Sequence, residues 1–557
     1  RAYQLAYFAI MMKARQYNRR ILDGETDCHV YAIQESNDIN RNHLKYFGAG
    51  MSDTERETAI LQIEELLDTF IGAKEYGSIL NVKNYNWELL YRFVGSVKVT
   101  GQLSLDSIKL EDTKEQLHIL VEIGDVIAHK YDVVVTNPPY MASTGIDSKL
   151  SEYIKRNYKN SKTDIFAVFI ERCKIYTKKN CYFAMITQHT WMFLGSYEIL
   201  REKILLCNII SLLHFGIKAF EEIGNDVVQT CSFVFHNTNI KRRNARFCRL
   251  IDYKDSRQKE KEFFNNNNYF NVCIDKFYRI PGITFAYWVS DSFFDNFSVG
   301  TTIENYGEFT GSQNITGNNE LFLRYFWEVP DYNIKNSNWV FYAKGGDYRK
   351  YYGNLEMVVD WRESARKFYQ TNKTSNLLNE KFWFREGITY SAVTSRGTGF
   401  RYLPKNCIFD KGGPSITLDS KLLEILALLN SKVAELYFKV LNPSINLQVK
   451  DIKALPIILP KDDRVEKITK QTLSIAKKDW DSFEISFDFT KHPFCKIKLT
   501  RLKGAFDKWR EQQEAYLQLI RENEYLVNEI YADLYNLKEI KIEFEDRDIP
   551  VREADLG

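Results

Sequence analysis

Apolar positions recur along the first half of the chain in two alternating rhythms. In the opening stretch RAYQLAYFAIMMKARQYNRR, Leu5, Phe8, Ala9 and Met12 share one helical face, and the last turn is basic. The runs at 53–70 and 164–179 predict amphipathic helices, with Asp53 and Asp164 at their N-caps. Five short apolar runs predict strands: VYAIQ (30–34), YDVVVT (131–136), YFAMIT (182–187), IISLLHF (209–215) and CSFVFH (231–236). Strands apolar throughout, alternating with helices, predict an open α/β sheet covered on both faces, with the closely spaced last pair as an antiparallel edge. The charged, Asn-rich segment 253–270 predicts an exposed loop or hinge.

Beyond it the texture changes. From 286 to 460 the strands shorten, and glycines, aromatics and basic residues interleave, as in WVFYAKGGDYRKYYGN and SRGTGFRYLPKNCIFDKGG. A helical run over 422–443 ends at Asn-Pro, and from 461 the chain is charged with apolar residues at helical spacing. Three regions follow: an α/β domain over 1–285, a mixed α/β domain over 286–460 and a helical C-terminal region over 461–557. The first helix starts without a cap or an initiating Met, so the sequence predicts that the natural N-terminus lies upstream.

Composition narrows the partners. A net charge of only +3 on 557 residues gives no global basic field, so any polyanion must be met by local patches. The nine cysteines are odd in number and include no Cys-x-x-Cys pair, which predicts a reduced, cytoplasmic compartment with neither a disulfide framework nor a zinc ribbon. No metal site is expected from the dispersed histidines, and no apolar run reaches the ~18 residues of a membrane span. The aromatic fraction of 14% is high, and most of those rings are expected in cores.

The candidate chemistry sits where YDVVVT runs directly into Asn137-Pro138-Pro139-Tyr140. Ligand sites of open α/β sheets lie at the carboxyl ends of strands. Each proline fixes its own φ and pushes the residue before it out of the helical region, so Asn137 and Pro138 are held extended. The loop then offers two acceptors, the Asn137 side-chain oxygen and the Pro138 carbonyl, followed by an aromatic face. Two acceptors on the two N–H bonds of a planar amino group draw its nitrogen towards sp³ and free the lone pair.

This loop resembles the catalytic motif of the S-adenosylmethionine-dependent amino-group methyltransferases, in which the target base is flipped into a pocket. The order LAYFAIMMKAR, KTDIFAVFIERC, YFAMITQHTWMFLGSYEILR, LLHFG and DVVQTCSFVF is similar to that of the gamma-type adenine-N6 DNA methyltransferases. VYAIQESNDINRNHLKYFGAG, FWFREGITYSAVTS and RYLPKNCIFDKGGPSI resemble the PglX family, the adenine-specific methyltransferases of BREX phage-defence systems, and related large restriction-modification enzymes. The resemblance implies a Rossmann-like class I methyltransferase sheet, incomplete at its N-terminus, then a mixed α/β target-recognition domain and a helical C-terminal region. It implies catalytic roles for Asn137, Pro138, Pro139 and Tyr140. Phe220 is placed either on the flipped base's other face or in the core. Arg385, Arg396, Arg401, Lys405 and Lys411 become phosphate or base-edge contacts, or else solvated loop charges. Gly77 and Ser78 resemble the loop beside the cofactor's adenine, and Asp164 either shapes the cofactor side or caps its helix.

Implied partners are S-adenosylmethionine, double-stranded DNA with a specific adenine-containing site, and other BREX defence proteins, with no membrane. The family's glycine-rich cofactor loop is expected upstream of RAYQLAYFAIMMKAR, and FGAG at 47–50 lacks the strand-to-helix setting to replace it. Two alternatives stay open. One is a DNA-specificity module without methyl transfer. The other is part of a combined restriction-modification enzyme whose nuclease lies upstream.

Overall fold

The computed structural model describes residues 2–23, 28–97, 109–220, 228–239, 244–309, 313–393, 397–442, 446–499, 501–538 and 540–542. The chain divides into two compact units, one of residues 1–192 and 196–274 and one of residues 193–195 and 275–557.

The first unit is a mixed α/β body. Its six-stranded sheet runs in the order β1-β2-β4-β3-β5-β6, where β1 is Tyr131–Thr136, β2 Thr177–Gln188, β3 Asn208–Gly216, β4 Thr230–His236, β5 Asn244–Arg249 and β6 Tyr269–Cys273. β1 pairs parallel with β2, β2 antiparallel with β4, β4 antiparallel with β3, and β3 parallel with β5. Four strands (β1, β2, β3 and β5) therefore point one way, and their carboxyl ends share one edge. Alternate residues of the inner strands close the core: Phe183 stacks on Phe235 at 5.1 Å, and Trp191 meets Phe233 edge-on at 5.3 Å.

The expectation that every strand is covered on both faces fails at β1. Val133 and Val135 are 61% and 70% exposed. Among the described strands β1 has a partner on one side only, so its apolar sequence is that of an inner strand standing at an edge. VYAIQ (30–34) lies outside any strand; Tyr31 and Ile33 pack instead against a helical core built on Ile63, Leu67, Leu90, Phe93 and Leu120. That core joins the helices Asp53–Thr69, Trp87–Gly95 and Leu110–Ala128.

Two further boundaries differ from the sequence reading. The cap of the helix Asp53–Thr69 is Ser52, whose hydroxyl accepts from the Glu55 N–H while the Glu55 carboxylate accepts from the Ser52 N–H. This reciprocal box satisfies two terminal donors and so outcompetes Asp53 for the position. The segment 253–270 is not simply a loop, because Asp255 caps a helix, Ser256–Phe263, by accepting from the Gln258 N–H at 2.8 Å. Its Lys259 is buried, with the ammonium donating to the carbonyls of Phe215, Leu250 and Tyr253 at 2.7–2.8 Å.

The second unit holds two four-stranded sheets, β13-β9-β10-β8 and β12-β11-β14-β7. Their strands are β7 Gly307–Phe309, β8 Leu323–Tyr325, β9 Trp339–Ala343, β10 Met357–Asp360, β11 Gly387–Tyr390, β12 Phe400–Leu403, β13 Cys407–Phe409 and β14 Ser415–Leu418. The predicted helical run at 422–443 is two helices, Leu422–Asn430 and Lys432–Leu441, divided where the Ser431 hydroxyl accepts from the Ala434 N–H and caps the second. The long helices Arg464–Trp480 and Leu502–Leu534 belong to this same unit. Many of the aromatics are core, including Tyr287, Tyr342, Tyr437, Tyr531 and Tyr535. No described helix is long and apolar enough to cross a membrane.

Buried ion pairs tie the C-terminal helices to the sheets. The Glu524 carboxylate accepts from the Lys350 ammonium at 2.8 Å and the Tyr351 hydroxyl at 2.6 Å, all three side chains being buried, and Arg349 pairs with buried Asp479. Removing one partner of such a set strands a buried charge. Glu524→Ala should therefore destabilise the second unit by about 3–5 kcal/mol, read from its urea midpoint, whereas Lys350→Met, Tyr351→Phe and Glu524→Leu together should recover most of that loss.

Candidate active site at the carboxyl ends of the sheet

β1 ends at Thr136, and Asn137-Pro138-Pro139-Tyr140 follows at the shared carboxyl edge. Pro138 is buried and anchors the loop, Asn137 and Pro139 are exposed, and Tyr140 is half-buried. The Tyr140 hydroxyl donates to Asn137 Oδ1 at 3.2 Å, so the aromatic ring and the acceptor are oriented together. Burial raises the Tyr140 phenol to about 12, which keeps it protonated and a donor at neutral pH. Its ring meets Phe166 edge-on at 6.3 Å, and Phe166 leans on Tyr197 at 5.9 Å.

The loop is held from the far side by Asp164. One carboxylate oxygen, Oδ1, accepts from the Phe166 N–H at 3.1 Å, capping the helix Ile165–Tyr176, and from the Met141 N–H at 3.1 Å. Backbone bonds Ile165 N–H to Met141 O and Ser143 N–H to Thr163 O, each 3.0 Å, complete the clasp. Desolvation pushes the Asp164 carboxyl upwards, against the lowering effect of the N–H groups it accepts from. Asp164 is only 8% exposed, so it positions the loop instead of offering its carboxylate to a ligand.

The turn assigned to the cofactor side meets the other end of the same helix, where Arg172 and Tyr176 reach Ser78. Ile79, next to Gly77 and Ser78, packs with Ile165 in one apolar cluster, and the Tyr158 hydroxyl donates to Ile79 O at 2.6 Å. The Ser78 carbonyl accepts from Tyr176 at 2.7 Å and from Arg172 Nε at 3.3 Å, while Arg172 also donates to Leu80 O at 2.7 Å. Gly77 has φ +56°, and a Cβ there would have nothing within 4 Å. Phe220 is half-buried and follows the carboxyl end of β3.

The basic residues of the second unit do not form one patch. Arg385 pairs with Asp419 and lies 3.8 Å from Glu308. Lys405 is exposed, 4.0 Å from Glu386, and Lys411 is exposed. Arg401 is 1% exposed, which removes its guanidinium from direct contact with a duplex; its strand β12 pairs with β11, and Arg401 bridges to Tyr351. Arg396 lies outside the described residues.

One pair at this edge was not singled out by the sequence. His189, just past β2, and His214, in β3, approach at 2.7 Å between Nδ1 and Nε2. Burial lowers His189 to about 4 and His214 well below its ordinary value, with His189, Arg249 and Lys259 adding to the effect on His214. A QH dipeptide and an isolated His carry no periodic signal, so only the register of β2, β4 and β3 brings them together.

Two outcomes follow. Asp164→Ala should destabilise the first unit by about 1–2 kcal/mol, the cost of a lost cap, and Asp164→Asn, which keeps an acceptor oxygen, should cost much less in thermal unfolding. The histidine pair sets a pH dependence. Both folded-state values are depressed, so the unfolded chain takes up protons first as pH falls. Stability is fully present above pH 6.5 and is lost towards pH 4. Unfolding midpoints measured across that range should fall less steeply for His189→Gln, which has one titrating ring fewer.

Comparison with known proteins adds a lineage to this geometry. Residues 1–220 match the Eco57I restriction-modification methylase family. Over 100% of its length the chain is 33% identical to the adenine-specific methyltransferase PglX of Lacticaseibacillus casei (strain Zhang), covering 48% of that protein. It is 30% identical over 97% of its length to the adenine-specific methyltransferase BrxX of Escherichia coli O9:H4 (strain HS), covering 46% of it. Among solved structures, the Type IIL restriction-modification enzyme MmeI in complex with DNA superposes with a TM-score of 0.40 at 10% identity, over 89% of this chain and 69% of that one. The chain spans about half the length of the PglX and BrxX relatives it matches. It is thus PglX-like from end to end, with a restriction-modification methylase region in its first 220 residues.

Proposed function

We propose that the full-length protein transfers a methyl group from S-adenosylmethionine to the N6 of an adenine flipped out of a specific DNA site, marking self DNA in phage defence beside other BREX proteins. The observation that carries this is the clasp at the N-terminus of the helix Ile165–Tyr176. There Asp164 fixes Met141, and with it the Asn137–Tyr140 loop. The same helix reaches the turn assigned to the cofactor from its other end, through Arg172 and Tyr176 to the Ser78 carbonyl.

In this reading the sheet of the first unit is Rossmann-like, and β1, apolar yet bare at its edge, is a strand on which the sheet continues. The Gly77–Ser78 turn would border the cofactor. S-adenosylmethionine, when bound, supplies an electrophilic methyl on a sulfonium. The protein's own residues do the rest. Asn137 Oδ1 and the Pro138 carbonyl accept the two amino N–H bonds, Tyr140 presents its ring to the base, and Phe220 faces the base from the other side. Since Tyr140 donates to one lone pair of Oδ1, the second remains for the amino group.

The test uses full-length protein, labelled cofactor and duplex containing its site. Asn137→Ala should cut label transfer to adenine by about 10²–10³-fold, the loss seen when one preorganised group at a reacting centre is removed, with cofactor binding by calorimetry retained. Label transfer surviving that change would end the assigned role of Asn137, and label appearing on protein or RNA but not on DNA would end the substrate assignment.

A further inference from the structure

The second unit contains a charge with no counter-charge. Arg401 is fully buried, yet its hydrogen bonds are long: 3.4 Å to the Gly399 carbonyl and 3.3 Å to the Ser391 hydroxyl. Its Nε has no partner, and no carboxylate of the described residues lies within ion-pair distance of it. Burial lowers its value only to about 10, so it stays charged at neutral pH. Five donors so poorly served are costly in a protein interior.

The guanidinium sits where three glycine loops converge. Ser391, which accepts from Arg401, donates to the Gly346 carbonyl at 3.0 Å. A Cβ at Gly345 would stand 2.7 Å from the Gly412 carbonyl, and one at Gly399 would stand 2.2 Å from the Arg349 carbonyl. The loops at 344–349, 397–401 and 410–413 are therefore packed backbone to backbone, at distances only glycine permits. Gly345 and Gly346 also have φ of +96° and +129°. Lys344 and exposed Lys411 flank this convergence; Lys344 interacts electrostatically with the Asp410 carboxylate, and neither lysine forms an ion pair within 4.0 Å among the described residues. The nearby acids are Asp410, whose Oδ1 is committed to the Gly412 and Gly413 N–H groups, and exposed Asp347; Arg349 is matched by Asp479.

We infer that this three-loop convergence is a phosphate seat for the DNA backbone, with Lys344 and Lys411 touching phosphate and Arg401 supplying a fixed positive field beneath them. The inference rests on DNA being the substrate. Backbone phosphates fix a protein's placement on a duplex without reading sequence, and each neutralised phosphate releases a counterion.

The experiment is the salt dependence of duplex binding by the full-length protein. Lys344→Ala with Lys411→Ala should reduce the slope of log K against log salt by about two, close to 0.9 per lost contact, and weaken specific and non-specific duplexes alike. Arg401→Met, of similar bulk, should weaken both duplexes in the same proportion, with the urea midpoint reporting whether the unit still folds. An unchanged slope in the lysine variant, or a loss confined to one sequence, overturns the seat while leaving methyl transfer standing. Displacement of DNA by inorganic phosphate beyond that by chloride at equal ionic strength would mark a free-phosphate site and overturn the DNA assignment. A parent protein that binds no DNA overturns both this seat and the proposed function.

Discussion

A single carboxylate oxygen, Asp164 Oδ1, holds the first unit's chemistry in place. It accepts from two backbone N–H groups that belong to different elements, one opening a helix and the other closing the Asn137–Tyr140 loop. A helix start leaves donors that must be satisfied, so the cap is obligatory in any case. Sharing its oxygen with Met141 turns a routine cap into a clasp. The loop is thereby referred to a rigid helix whose far end, through Arg172 and Tyr176 to Ser78 and Arg172 to Leu80, fixes the 77–80 turn. The loop's placement is inherited from that helix terminus, which suits the proposed chemistry of holding acceptors still.

The main elements of this unit were legible because their signals are local. An apolar β-branched run ending in Asn-Pro-Pro-Tyr is a strand and a stiff loop in any context, and Asp164 before an apolar helix is an N-cap. What could not be read depends on partners distant in sequence. Ser52 displaced Asp53 as a cap because Glu55 completes a reciprocal box. The helix Ser256–Phe263 was hidden by charge, since nothing local says that Lys259 is buried under three carbonyls. The 2.7 Å approach of His189 and His214 exists only because β4 threads antiparallel between β2 and β3. The second role of Asp164 is likewise invisible locally, because Met141 is 23 residues away.

The exposure of β1 follows from the same logic read in reverse. Its residues are those of a strand buried on both sides, and Val133 and Val135 stand in solvent instead. A parallel strand with apolar faces is unusual at an edge, because natural edges are shortened, charged or covered. Sequence and structure agree on its identity as a strand and disagree on its surroundings.

The second unit handles buried charge in two ways that separate architecture from recognition. Lys350 and Arg349 are buried with carboxylates, Glu524 and Asp479, contributed by the C-terminal helices, so their desolvation is offset inside the fold and the result is cohesion. Arg401 is buried as deeply without any such partner. A chain that satisfies two neighbouring cations with acids and leaves the third on a hydroxyl and a carbonyl has not run short of carboxylates. Glycines at 345, 399 and 412 keep three backbones closed around that third cation, at separations where any side chain would collide. Were the arrangement only structural, an aspartate at Ser391 would answer the charge at once. Its absence keeps a positive field beneath Lys344 and Lys411, the sign that a DNA phosphate would meet in the proposed seat.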